Sequence, residues 1–137
     1  MKKRTPVSKI MSTDVASVNI TQSIKDVSEL IEARNIRHVP VVSGDEVIGM
    51  MSKTDLQKIS FVNNTDGDNV STAMYDILSI EQVMTKDLMT VQSSDTIHRV
   101  ADILSENEFH ALPVVEEKKL VGIVTTTDLI KYLVEQF

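Results

Sequence analysis

At 137 residues, 42% hydrophobic and 25% charged, the chain has room for one domain or for two halves sharing a core. A formal net charge of −6 argues against a nucleic-acid-binding surface, which needs a basic stripe. The absence of cysteine excludes disulfides, thiolate metal sites and cysteine nucleophiles.

Lys2, Lys3 and Arg4 make a short basic start that reads as a frayed terminus. No apolar run approaches the length of a signal-peptide core or a membrane span, so no membrane partner is expected and the expected location is cytoplasmic. The sequons at Asn19, Asn63 and Asn69 then carry little meaning. Val7 to Met11 reads as a helical turn or an extended lead-in, and Val15 to Val18 as a short strand. Ser23 has Asp26 three residues on, a variant of the capping box. Ile24, Val27, Leu30 and Ile31 follow at helical spacing, on a helix that ends near Asn35. Val39 to Val42 is a continuous apolar strand, Ser43-Gly44-Asp45 a hairpin turn, and Val47 to Ser52 the returning strand. A helix from Thr54 to about Val62 completes this half.

Asn63 to Asn69 is a cluster of polar turn-formers. Its Asp66-Gly67-Asp68 lacks the ligand alternation and closing glutamate of a calcium loop, and reads as a solvated loop. Ser71 to Ile80 is a candidate short helix. Met89–Val91, Thr96–Asn107, Ala111–Val115, Leu120–Thr125 and Thr127–Gln136 then repeat the earlier order. Each half is expected to be β-α-β-β-α, an α/β (α+β) arrangement, with residues 1–62 and 80–137 joined by a linker over 63–79.

The repeat is exact in spacing. An offset of seventy-three residues holds without a gap from Met11/Met84 to Leu56/Leu129, with twelve identities. Two copies are too few for a solenoid and suggest halves packed face to face about a pseudo-twofold axis. The chemistry gathers where a strand runs into a helix, at Gly122-Ile123-Val124-Thr125-Thr126-Thr127-Asp128 and again at Gly49-Met50-Met51-Ser52-Lys53-Thr54-Asp55. Hydroxyls and a carboxylate at a helix N-terminus suit a sugar phosphate, since the helix end favours the anion and the carboxylate accepts from a ribose diol. The plain alternative is that Thr127 and Asp128, like Thr54 and Asp55, merely cap their helices.

Each half resembles a CBS motif, named after cystathionine β-synthase, and the pair resembles a tandem CBS (Bateman) module. The resemblance rests on Met11-Ser12 and Met84-Thr85, on Pro40-Val41-Val42 and Pro113-Val114-Val115, and on the closing Gly–x–x–Ser/Thr–x–Thr–Asp. It covers nearly the whole chain, from about Val7 to Leu133. It implies two clefts between the halves, which in many members bind AMP, ADP, ATP or S-adenosylmethionine. It puts the ribose carboxylate at Asp55 and Asp128, the neighbouring hydroxyl at Thr54 and Thr127, and the base-packing residue at Met50 and Ile123. Base and phosphate contacts from the opposite half fall on Ile36, Arg37 and His38, and on Phe109 and His110, with Ala111 beside them.

One cleft would thus join Asp128, Thr127 and Ile123 to Ile36, Arg37 and His38. The other would join Asp55, Thr54 and Met50 to Phe109 and His110. Arg37 grips phosphate with a planar fork, whereas His110 is mostly neutral at pH 7, so the Asp128 cleft is expected to favour phosphorylated ligands. The plain alternatives are a solvated Arg37 and a hydrogen-bonded His38 at a strand edge; Lys53 reads as a surface lysine.

The three histidines lie apart, no Gly-rich phosphate loop is present, and no nucleophile–base pair can be named, so no catalysis is expected. The seven methionines read as core filler. The expected function is therefore regulatory: a nucleotide shifts the relative orientation of the halves, and a partner protein on another chain reads the change. A homodimer is expected from the resemblance. The alternatives are a ligand-free dimerisation or scaffold module and, last, an enzyme acting on nucleotides.

Overall fold

The structure is a computed structural model, and it describes residues 4–62 and 77–137. The polar loop at Asn63 to Asn69, and most of the candidate helix at Ser71 to Ile80, lie outside the described residues. The chain packs as two compact units, one of Ala16–Leu88 and one of Met1–Val15 with Met89–Phe137.

The first of these begins with β1 (Val18–Asn19), which pairs in parallel with β2 (His38–Ser43) through Val18–Val41 and Asn19–Val42. Between them runs α1 (Ile24–Arg34). Its start is fixed by Ser23, whose hydroxyl accepts the Asp26 N–H at 3.1 Å while the Asp26 carboxylate accepts the Ser23 N–H at 3.0 Å. It ends at Asn35 in the left-handed conformation, φ 51°, a position that asparagine tolerates better than most residues. β3 (Glu46–Ser52) returns antiparallel to β2, and α2 (Lys53–Val62) leaves from its end. Ile24, Val27 and Ile31 of α1 lie against Val39, Val41, Met51 and Leu56, all buried. Each such side chain contributes roughly 1.5–3 kcal/mol of transfer free energy.

The other unit repeats the plan. β4 (Val91–Gln92) pairs in parallel with β5 (Ala111–Glu116), and β6 (Lys119–Thr125) pairs antiparallel with β5. The two helices are Ile97–Glu106, capped by Thr96, and Thr126–Glu135. Both hairpins carry a register shift at the same place, between Val41 and Val42 and between Val114 and Val115. The β-α-β-β-α order read from the sequence is the observed one. The opening strands are shorter than expected and begin later, at Val18 and Val91, because only two residues of each meet β2 or β5.

The lead-ins do not stay with their own copies. The 3-10 turn Val7–Lys9 packs in the unit of the second copy, where Val7 is fully buried. Its N–H donates to Asp95 O at 2.7 Å, and the Ile97 N–H donates to Thr5 O at 2.8 Å. In turn a helical turn, Ile80–Val83, with a capping box between Ser79 and Gln82, packs its buried Ile80 into the core of the first copy. Sequence repeat and packing unit therefore divide the chain differently.

Candidate functional site

The strand-to-helix junctions are built alike in both units. At the end of β3 the Ser52 hydroxyl accepts the Asp55 N–H at 3.0 Å, and Asp55 Oδ2 accepts the Ser52 N–H at 2.9 Å. At the end of β6 the Thr125 hydroxyl accepts the Asp128 N–H at 3.2 Å, and Asp128 Oδ2 accepts the Thr125 N–H at 2.9 Å. These are capping boxes with aspartate in the third helical position. The caps are thus Ser52 and Thr125 rather than Thr54 and Thr127, because only the former stand three residues before the carboxylate. That spacing, already informative at Ser23 and Asp26, was the signal for them.

Each carboxylate also lies in the first turn of a helix, where the unpaired N–H groups favour negative charge. Asp55 and Asp128 are half-buried, and Oδ1 of each takes no hydrogen bond from the described residues. Thr54 and Thr127 are exposed beside them. A free carboxylate oxygen, a solvent-facing hydroxyl and a helix N-terminus are the groups that a diol and a phosphate need.

The residues before the central prolines stand at the same ends of their sheets. The Lys53 N–H donates to Arg37 O at 2.9 Å, and His38 is the register partner of Ser52. The Thr126 N–H likewise donates to His110 O at 3.0 Å, and Ala111 faces Thr125. Within one unit the structure brings Arg37 and His38 to the helix start that carries Thr54 and Asp55. Within the other it brings His110 to the start that carries Thr127 and Asp128. Arg37, Phe109 and His110 are exposed; His38 is half-buried, and Ile36 packs against the core of its unit.

Met50 and Ile123 have a further neighbour that sequence reasoning missed. Ser12 and Ile123 exchange both backbone hydrogen bonds, at 2.9 and 3.0 Å, and Thr85 and Met50 do the same at 2.9 and 3.1 Å. Each lead-in therefore lies along the strand edge at the expected base-packing residue. Gly122 and Gly49, one position earlier, leave the space that Met11 and Met84 fill. A glycine inside an apolar strand was the available signal, since it marks the close approach of another segment.

Among the described residues no cluster of histidine and carboxylate groups suits a metal ion, and no helix is long and apolar enough to cross a membrane.

The model of the CBS domain matches residues 7–61 and again 80–135. The chain belongs to the CBS domain family. It is a tandem CBS pair, and such modules are regulatory and non-catalytic. It is similar to MJ1225, an uncharacterised protein of Methanocaldococcus jannaschii, at 29% identity over 89% of this chain and 45% of that protein. It is also similar to a homoserine O-acetyltransferase of Methanohalobium evestigatum, at 28% identity over 97% of this chain and 25% of the enzyme. The chain thus spans less than half of these curated relatives. The crystal structure of MJ1225 superposes with a TM-score of 0.84 and 27% identity, covering 97% of this chain and 49% of that one. The CBS pair of protein MJ0100, solved with 5′-methylthioadenosine and S-adenosyl-L-methionine, shares the fold at a TM-score of 0.81 and 24% identity, covering 97% and 98% of the two chains. CBSX2, solved with AMP, shares it at 0.80 and 22%, covering 96% and 98%.

Proposed function

We propose that this CBS pair is a sensor of adenosine-containing ligands, taking AMP, ADP, ATP or S-adenosylmethionine and passing the occupancy to a partner protein. The observation that carries the reading is the duplicated junction, where Asp55 and Asp128 each keep one carboxylate oxygen free of hydrogen bonds from the described residues, beside an exposed threonine. In this reading the aspartates accept from the ribose hydroxyls, Thr54 and Thr127 meet ribose or phosphate, and Met50 and Ile123 pack on the base. Ile36, Arg37 and His38, and Phe109 and His110, supply base and phosphate contacts. The ligand lies, as the family resemblance implies, in clefts between the repeats, and the module acts as a homodimer. The ligands held by the CBS pair of MJ0100 and by CBSX2 support the ligand class.

The mechanism is linkage: a ligand that binds one arrangement of the repeats better than another shifts the population toward it, by no more than its difference in affinity. A second reading, a ligand-free dimerisation or scaffold module, is favoured by the capping boxes, which give both aspartates a structural task.

Thermal unfolding with AMP, ADP, ATP, S-adenosylmethionine and NAD separates the two. A ligand at a hundred times its dissociation constant adds about 2.7 kcal/mol, a rise on the order of several degrees. The sensor reading predicts such a rise with at least one adenosine ligand and its loss in Asp55→Ala or Asp128→Ala, each compared with its own ligand-free midpoint. No rise with any of them favours the scaffold.

A further inference from the structure

Met11 and Met84 hold equivalent places in the repeat, and each sets its thioether against a strand glycine. A Cβ added at Gly122 would stand 2.7 Å from Met11 Sδ and 3.1 Å from its Cγ, and one at Gly49 would fall on Met84 Sδ. The sulfur therefore fills the notch left by the missing side chain, next to the backbone bridges Ser12–Ile123 and Thr85–Met50. Each methionine packs at the margin of its core and stays half-buried, within reach of a small solute. Met51 and Met50, by contrast, are 0% and 6% exposed.

We propose that Met11 and Met84 are paired oxidation sites, through which a peroxide releases the two lead-ins from their strands. A sulfur lone pair attacks one peroxide oxygen, the S–O bond forms and the O–O bond breaks. The thioether is oxidised to the sulfoxide as the proton on the transferred oxygen passes to the departing hydroxide, which leaves as water, so the peroxide is reduced. The product is a polar, chiral group where a flexible apolar one stood. A sulfur wedged over a glycine has no space on that side for an added oxygen, and its core-facing side offers apolar neighbours. The oxygen therefore adds on the side open to water, the polar sulfoxide draws the side chain out of the notch, and the bridge at Ile123 or Met50 loosens with it. Met89 is 47% exposed, and its sulfoxide oxygen would stand in water.

The test treats the purified full chain with hydrogen peroxide, maps added oxygen by peptide mass spectrometry, and follows the thermal midpoint. Met11 and Met84 should gain oxygen before Met50 and Met51, and the midpoint should fall by several degrees. Methionine sulfoxide reductases should restore it. The double variant M11L/M84L should keep its midpoint through the same treatment although the exposed Met89 oxidises. M11Q and M84Q, each placing a polar group in the notch, should lower the midpoint without peroxide. If the double variant does not fold, M11L and M84L singly should each remove part of the drop. An unchanged midpoint once Met11 and Met84 are oxidised overturns the proposal. So does an equal fall in the leucine variants, or oxidation of Met50 and Met51 ahead of the lead-ins.

Discussion

Asp128 and Thr125 hold each other across the first turn of the last helix, the carboxylate accepting the threonine N–H at 2.9 Å and the hydroxyl accepting the aspartate N–H at 3.2 Å. Replacing Asp128 with alanine to probe ligand binding therefore also removes half of a capping box. Asp128→Ala should cost about 1 kcal/mol in the absence of any nucleotide, and Thr125→Ala a similar amount. Because each side chain accepts the other residue's backbone N–H in one reciprocal box, the double variant should cost less than the sum. Urea unfolding of the four proteins measures the cycle; strict additivity would show that the pair is not coupled.

The two strand glycines should respond unequally to alanine. At Gly49 the three atoms nearest the methyl group all belong to the side chain of Met84, which can turn aside. At Gly122 it meets Met11 Sδ at 2.7 Å and also Ser12 O at 2.9 Å, and that carbonyl is fixed in the bridge to Ile123. Gly122→Ala should thus destabilise by about 1–3 kcal/mol and Gly49→Ala by less. Adding Met84→Ala should relieve the Gly49 variant, while Met11→Ala should leave much of the Gly122 cost in place. Equal costs, or full relief in both cases, would contradict this account of the notches.

The hairpin between β5 and β6 turns on two residues of left-handed conformation, Glu117 at φ 51° and Lys118 at φ 74°. Neither is a residue type that adopts this region readily, and the penalty is roughly 1–2 kcal/mol per residue. Glu117→Asn with Lys118→Gly supplies the pair favoured in such two-residue turns and should raise stability by about 1 kcal/mol or more. Chemical denaturation of the double variant checks it.

Acid should weaken the start of α1 in a defined direction. The Ser23 N–H, and then its hydroxyl, hold the Asp26 carboxyl below its ordinary value of 3.8. A group whose folded pKa is depressed contributes stability that is present above the unfolded value and lost as pH falls through the folded one. The midpoint difference between the protein and Asp26→Asn should therefore be constant above about pH 5 and narrow below about pH 4. A difference that persists unchanged in acid would show that the carboxylate charge is not the stabilising feature.

Much of this molecule was legible because its signals are local. Ser23 with Asp26, the apolar spacing of Ile24, Val27 and Ile31, and the turn Ser43-Gly44-Asp45 between two apolar runs each specify one element, and the repeat supplies the apolar spacing a second time at Ile97, Val100 and Leu104. The partnership of Met11 with Gly122 was not legible, since it joins positions far apart in sequence and nothing in either residue names the other. The true caps were missed for a different reason. Hydroxyls crowd each junction, Ser52 and Thr54 in one and Thr125 to Thr127 in the other, and the threonine next to the aspartate competes for attention with the residue three places before it, which alone suits a capping box. The candidate ligand groups are legible as residue types at a junction, while the adenosine class came from resemblance.

The central claim is that a ligand of this class binds, and calorimetric titration of AMP and of S-adenosylmethionine into the ligand-free protein tests it most directly. The account predicts saturable heat with at least one of them at a fixed ratio of ligand to chain, weakened roughly tenfold or more when the responsible aspartate becomes asparagine. No saturable heat with either, nor with ADP or ATP, from a protein that unfolds cooperatively would contradict it and leave the scaffold reading standing.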